Sequence, residues 1–89
     1  MKEVCEKLKL EIKSLIKEES SYLKSISFSI MENSKEFIIY FTWKKDNFDN
    51  YFDERDSFRN VVKNLVENNH LYFNKTKSNL AKYTFYWKT

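Results

Sequence analysis

The stretch EFIIYFTWK, residues 36–44, decides how this chain folds. Phe37, Ile39, Phe41 and Trp43 alternate with Ile38, Tyr40 and Thr42, so both faces of an extended segment would be apolar or aromatic. An edge strand of a small domain shows water a polar face, whereas a strand flanked on both sides does not need one. The segment therefore predicts an interior strand, and the remaining elements are arranged around it.

Upstream, LKSISFSIM (residues 23–31) sets Ile26, Phe28 and Ile30 against Ser25, Ser27 and Ser29, the alternation of a half-buried strand. Glu32, Asn33, Ser34 and Lys35 supply the turn of a hairpin between the two. Before them, residues 2–22 predict a helix: Val4, Leu8, Ile12, Leu15 and Ile16 recur at helical spacing, and Cys5 widens the stripe. Five lysines and five glutamates share its other face, a solvated surface with weak pairs.

Downstream, residues 56–69 predict a second helix burying Phe58, Val61, Val62, Leu65 and Val66. Asp53 and Asp56 are candidate caps, and Asn68-Asn69 its stop, because Asn tolerates the left-handed conformation that closes a helix. A short strand at 70–74, a lysine-bearing turn, and a last strand at 80–88 complete the chain. The expectation is one α+β domain over residues 1–89: a two-layer sandwich in the order α-β-β-α-β-β. Its antiparallel sheet has about four strands, with both helices on one face.

Composition narrows the class. Eighty-nine residues bury only ~60–65% of the unfolded surface, and the 18% aromatic content offsets that shortfall. The single cysteine excludes an internal disulfide and fits a reducing, cytoplasmic setting. The N-terminal MKEVCEKLKLEIK intersperses charge among its apolar residues, unlike a signal peptide, and no apolar run approaches the ~20 residues of a membrane span. The chain contains neither Gly nor Pro, which excludes a glycine-built phosphate loop. With one His and one Cys, no catalytic constellation or metal-ligand spacing emerges, so the expectation is a protein without enzymatic activity, metal or cofactor.

Two surfaces stand out. Between Asp46 and Asp56 lie five acids and one Arg, interleaved with Phe48, Tyr51 and Phe52, whose spacing suggests a helical turn that runs on into the second helix. Asp46, Phe48, Asp49, Tyr51, Phe52, Asp53 and Glu54 are the preferred partner-binding segment: aromatics to anchor, carboxylates to stand in for the phosphates of a partner's substrate. The competing reading of those acids is helix capping. The second surface is the sheet face away from the helices, expected to expose Ser25, Ser27, Ser29, Ile38, Tyr40, Thr42, Lys82, Thr84, Tyr86 and Lys88. Tyr, Ser and Thr suit an adaptable binding face, although they suit ordinary solvent exposure equally. Tyr40 and Tyr86 with Lys82 could also stack and steer single-stranded nucleic acid. A net charge of only +3 with two Arg argues against a dedicated nucleic-acid domain.

In size, α+β order, the Lys-, Asn- and Ile-rich composition of an AT-rich gene and its aromatic-acidic segment, the chain resembles small inhibitor proteins of bacterial conflict. These are the immunity proteins of contact-dependent toxin systems and phage-encoded inhibitors of host defence. No motif of a particular family is matched. The resemblance implies a protein-binding inhibitor that blocks a toxin or effector by direct contact, with a nuclease among the candidate targets. The alternatives are a single-stranded nucleic-acid module on the sheet face and, third, a small ribonuclease-like toxin.

Overall fold

The computed structural model describes residues 1–16, 22–45 and 51–88. They form α1 (Lys2–Ser14), β1 (Leu23–Met31), β2 (Glu36–Trp43), α2 (Tyr51–Glu67), β3 (Tyr72–Phe73) and β4 (Lys82–Tyr86), with a 3-10 turn at Lys75–Lys77 before β4. The four strands pair antiparallel in the order β1-β2-β4-β3. The apolar stretch is thus an interior strand, with β1 on one side and β4 on the other. Its register places Ile39 between Phe28 and Tyr83, and Phe37 between Ile30 and Phe85.

Both helices cover that same face. Lys13 of α1 lies over the Phe28 ring, while Phe58 of α2 meets Phe41 and Trp43 edge-on at 6.2 and 6.5 Å. Cys5, Leu8 and Ile12 on α1 and Phe58, Val62 and Val66 on α2 join the strands in one buried cluster. These residues recur every three or four positions, which is why two mostly polar helices can each bury one stripe. No helix among the described residues is long and apolar enough to cross a membrane.

The element boundaries depart from the periodicity, each for a local reason. α1 stops at Ser14 rather than running to residue 22; residues 17–21 lie outside the described ones. There Leu15 and Ile16 donate to Ile12 and Lys13, three residues back, and the Ser14 hydroxyl donates to the Glu11 carbonyl. That tightening ends the helix and leaves Leu15 40% exposed instead of in the stripe. α2 begins earlier, at Tyr51, so Asp53 and Asp56 lie inside it and are not N-caps. Val61, expected in the core, faces water at 50% exposure. At the far end the left-handed residue is His70 (φ 68°), not Asn68 or Asn69. Asn69 instead donates its side-chain amide to the Leu65 carbonyl, satisfying an orphan acceptor of the last turn.

β3 is shortened to Tyr72–Phe73 because the chain turns away after Asn74, whose amide still donates to the Thr84 carbonyl at 2.8 Å. The Asn74 side-chain oxygen accepts from the Lys77 amide and the Thr76 hydroxyl, building the 3-10 turn. β4 likewise spans Lys82–Tyr86 rather than 80–88.

Candidate functional site

The head of α2 carries four of the seven residues of the aromatic-acidic segment; Asp46, Phe48 and Asp49 lie outside the described residues. Tyr51 is buried, and its hydroxyl donates to the Lys44 carbonyl at the end of β2. It therefore fixes where the helix starts rather than projecting toward a partner. Phe52, the next residue, points away from the core and is 65% exposed. The Arg55 guanidinium sits 4.9 Å from the Phe52 ring centre and 5.9 Å from that of Tyr51, bracing both from one turn along. Asp53 and Glu54 flank Phe52 on the first turn and are exposed, where a helix N-terminus favours negative charge. The result is a fixed aromatic side chain with carboxylates beside it.

The open sheet face is less open than the alternation suggests. Thr84 is only 1% exposed and Ile38 8%. The 3-10 turn folds over this row. The Thr84 hydroxyl donates to the Lys77 carbonyl at 2.9 Å, and Lys77 Nζ reaches Glu36 Oε2 at 3.1 Å. Ser78 closes the edge, accepting from the Thr84 amide and donating to the Asn74 carbonyl. Hydrogen bonds from Ser34 and Lys77 hold the Glu36 carboxyl below the usual carboxylate range.

This cover divides the face. On one side Tyr40, 39% exposed, lies between Ser27 and Lys82 in the register. On the other, Tyr86 stacks on Tyr72 with centroids 5.4 Å apart, and Lys88 Nζ lies 4.7 Å over Tyr72. Tyr40 and Tyr86 are thus separated by the covered Thr84 row. Tyr72 is a member of this surface that alternation does not reveal; its place opposite Tyr86 follows only from the β3–β4 register.

Sequence reasoning also misses a second group. Arg55, Arg59 and Lys63 recur every four residues along α2, a basic stripe visible in the sequence once the helix is known to begin at Tyr51. Arg59 lies 4.9 Å over Tyr83 and Lys63 4.8 Å over Phe73. Burial pushes the Tyr83 phenol above its ordinary value, while the nearby Arg59 charge partly offsets this. Burial likewise pushes the Cys5 thiol up to about 11, which suits a packing residue and not a nucleophile. Among the described residues, no group of three or more His, Cys, Asp or Glu side chains could hold a metal ion.

Comparison with protein-family models, with curated proteins and with solved structures finds no match to this chain.

Proposed function

We propose that the chain is a non-enzymatic binding protein, an inhibitor of the immunity type that neutralises a bacterial toxin or effector by contact through the head of α2. The observation that carries this reading is Phe52: a large aromatic side chain, 65% exposed, stacked on Arg55 and set between a buried Tyr51 and exposed carboxylates. A ring left 65% exposed gives the chain less stability than a buried one, even with Arg55 and Tyr51 against it. A partner pocket that accepts it gains a contact whose ordering cost is already partly met, the usual profile of an interface anchor. Asp53 and Glu54 add a negative collar that would steer the segment toward a basic surface.

The test is capture from the native host, after nuclease treatment, with the wild type and with Phe52→Ala. The expected result is one stoichiometric protein bound by the wild type, with affinity reduced about thirtyfold by the substitution, as for an anchor contributing ~2 kcal/mol. A captured protein whose affinity changes less than twofold in Phe52→Ala would remove the head of α2 from the interface.

A second reading rests on the Tyr72–Tyr86 stack, where a base of single-stranded nucleic acid would have to take the place of Lys88 over the Tyr72 ring, freeing that ammonium for a phosphate. The covered Thr84 row between Tyr86 and Tyr40 limits how many bases could stack in succession. Recovery of nucleic acid alone from a parallel capture without nuclease would favour this second reading.

A further inference from the structure

Along α2 from its head, the helix and the β3–β4 edge enclose an open cleft of about 270 Å³. Its charged lining is Arg59, Lys63 and Lys75, with no acid among the lining residues. Two of these cations have counter-charges that are not among the lining residues. Asp56 accepts from Arg59 Nη1 at 3.3 Å but shares the same oxygen with Arg55, and Glu67 is 3.8 Å from Lys63. Lys75 has no ion pair among the described residues. Three positive charges therefore line a space with no acid in its lining, and two carboxylates outside it, one of them shared with Arg55, compensate them only in part.

The cleft is also rich in donors. The Arg59 guanidinium keeps a fifth of the side chain accessible and spends Nη1 on Asp56, which leaves other N–H groups of its fork to donate. Asn79 uses its side-chain oxygen for the Ala81 amide, which leaves its NH2 group to donate, and Asn60 adds a second carboxamide to the wall. Two of the cations are held in place by ring faces, Arg59 over Tyr83 and Lys63 over Phe73. Those faces are already covered, so a nucleobase could not stack on them without displacing the charges. Ring-held cations and unused donors instead match an acceptor-only group that carries charge in a small volume.

We propose that this cleft binds a compact, multiply charged phosphate, a phosphomonoester or pyrophosphate, between α2 and the 3-10 turn. The volume lies below the ~300–1,000 Å³ of drug-sized ligand sites, which fits a phosphate group better than a whole dinucleotide. A free phosphate metabolite and the terminal phosphate of a nucleic acid present the same chemistry here. The inference is independent of the contact role assigned to Phe52.

The experiment is a low-salt titration of the 15N-labelled chain with pyrophosphate, followed by amide shifts. The expected result is saturable binding with shifts at Asn60, Lys63, Lys75 and Asn79. Lys75→Gln, an exposed change that leaves the core untouched, weakens binding about tenfold, the usual scale for one charge-assisted contact. Lys24→Gln, at an exposed position of β1, leaves it unchanged. Absence of saturable shifts, or equal weakening by Lys24→Gln and Lys75→Gln, would overturn the site. A second arm compares one oligonucleotide with a 5′-phosphate and with a 5′-hydroxyl. Preference for the phosphorylated form assigns the site to a nucleic-acid end. Binding of pyrophosphate with neither oligonucleotide assigns it to a small phosphate. Equal binding of both oligonucleotides refutes selectivity for the multiply charged phosphate.

Discussion

Thr84→Val tests the covered sheet face most directly. The two side chains have nearly the same shape, and the substitution replaces the hydroxyl that donates to the Lys77 carbonyl at 2.9 Å. On a solvated sheet face, valine in place of threonine is neutral or mildly favourable, because it suits a strand at least as well. Under the 3-10 turn, where Thr84 is 1% exposed, it leaves an acceptor unpaired and loosens the turn. The expected cost is ~1–2 kcal/mol, from a lost hydrogen bond plus part of the desolvation of its partner. For a domain of this size ~1 kcal/mol lowers Tm by about 4–8 °C, well within reach of a thermal or urea melt. Ser78→Ala removes a second tether of the same turn, the hydroxyl that accepts from the Thr84 amide. Because both hold one segment, the double substitution should cost less than the sum of the two, with a coupling of at least ~0.5 kcal/mol. A Thr84→Val protein as stable as the wild type would refute the reasoning, and the face would then behave as open.

Two further outcomes follow from buried or constrained positions. The Cys5 thiol, with its pKa raised from 9.0 to about 11, carries about a hundredfold less thiolate near neutral pH than a free cysteine. A disulfide reagent at pH 8 should accordingly modify it only as the chain unfolds; native-state reaction at the rate of a model thiol would contradict that. The sign of the linkage also follows: the stabilisation is complete below the unfolded value of 9.0 and declines as pH rises through about 11. In a chain without glycine, Lys35 (φ 55°) and His70 (φ 68°) occupy left-handed backbone. Lys35→Gly and His70→Gly should each raise stability by ~0.5–1 kcal/mol in a urea titration, since relief of the Cβ clash outweighs the entropy added to the unfolded chain. A loss of stability in both would show that their side chains hold the turns.

What could be read from the sequence was whatever is periodic. β1 and the interior strand follow from alternation, and the buried residues of α2 from a spacing of four, because burying a face imposes a period on the chain. The ends of α1 and the cover over Thr84 are not periodic. They depend on single polar side chains, Ser14, Asn74 and Ser78, finding particular backbone groups. Ser, Thr and Asn can make such bonds in many places, so their identity alone does not say which is made. The candidate contact segment was legible in part for the same reason. Exposed Phe52 and buried Tyr51 are adjacent aromatics, and only the helical phase set by the earlier start of α2 separates them.

The basic cleft was obscured by a different quantity, net charge. At +3 over 89 residues the chain is nearly balanced, and that balance argues against a dedicated nucleic-acid domain. Yet charges separated by more than ~8–10 Å scarcely sense one another at physiological salt, so a whole-chain sum describes solubility and not a site. Asp53 and Glu54 at the head of α2 cancel Lys63 and Lys75 in the sum without standing among the residues that line the cleft. The local quantity is the one that acts: three cations line one cleft with no acid among them, and an exposed aromatic elsewhere on the same helix carries acids beside it. A single amphipathic helix can therefore present an acidic contact surface at its head and a phosphate-binding wall further along. Because the two use different residues, Phe52→Ala should leave pyrophosphate binding intact and Lys75→Gln should leave partner capture intact.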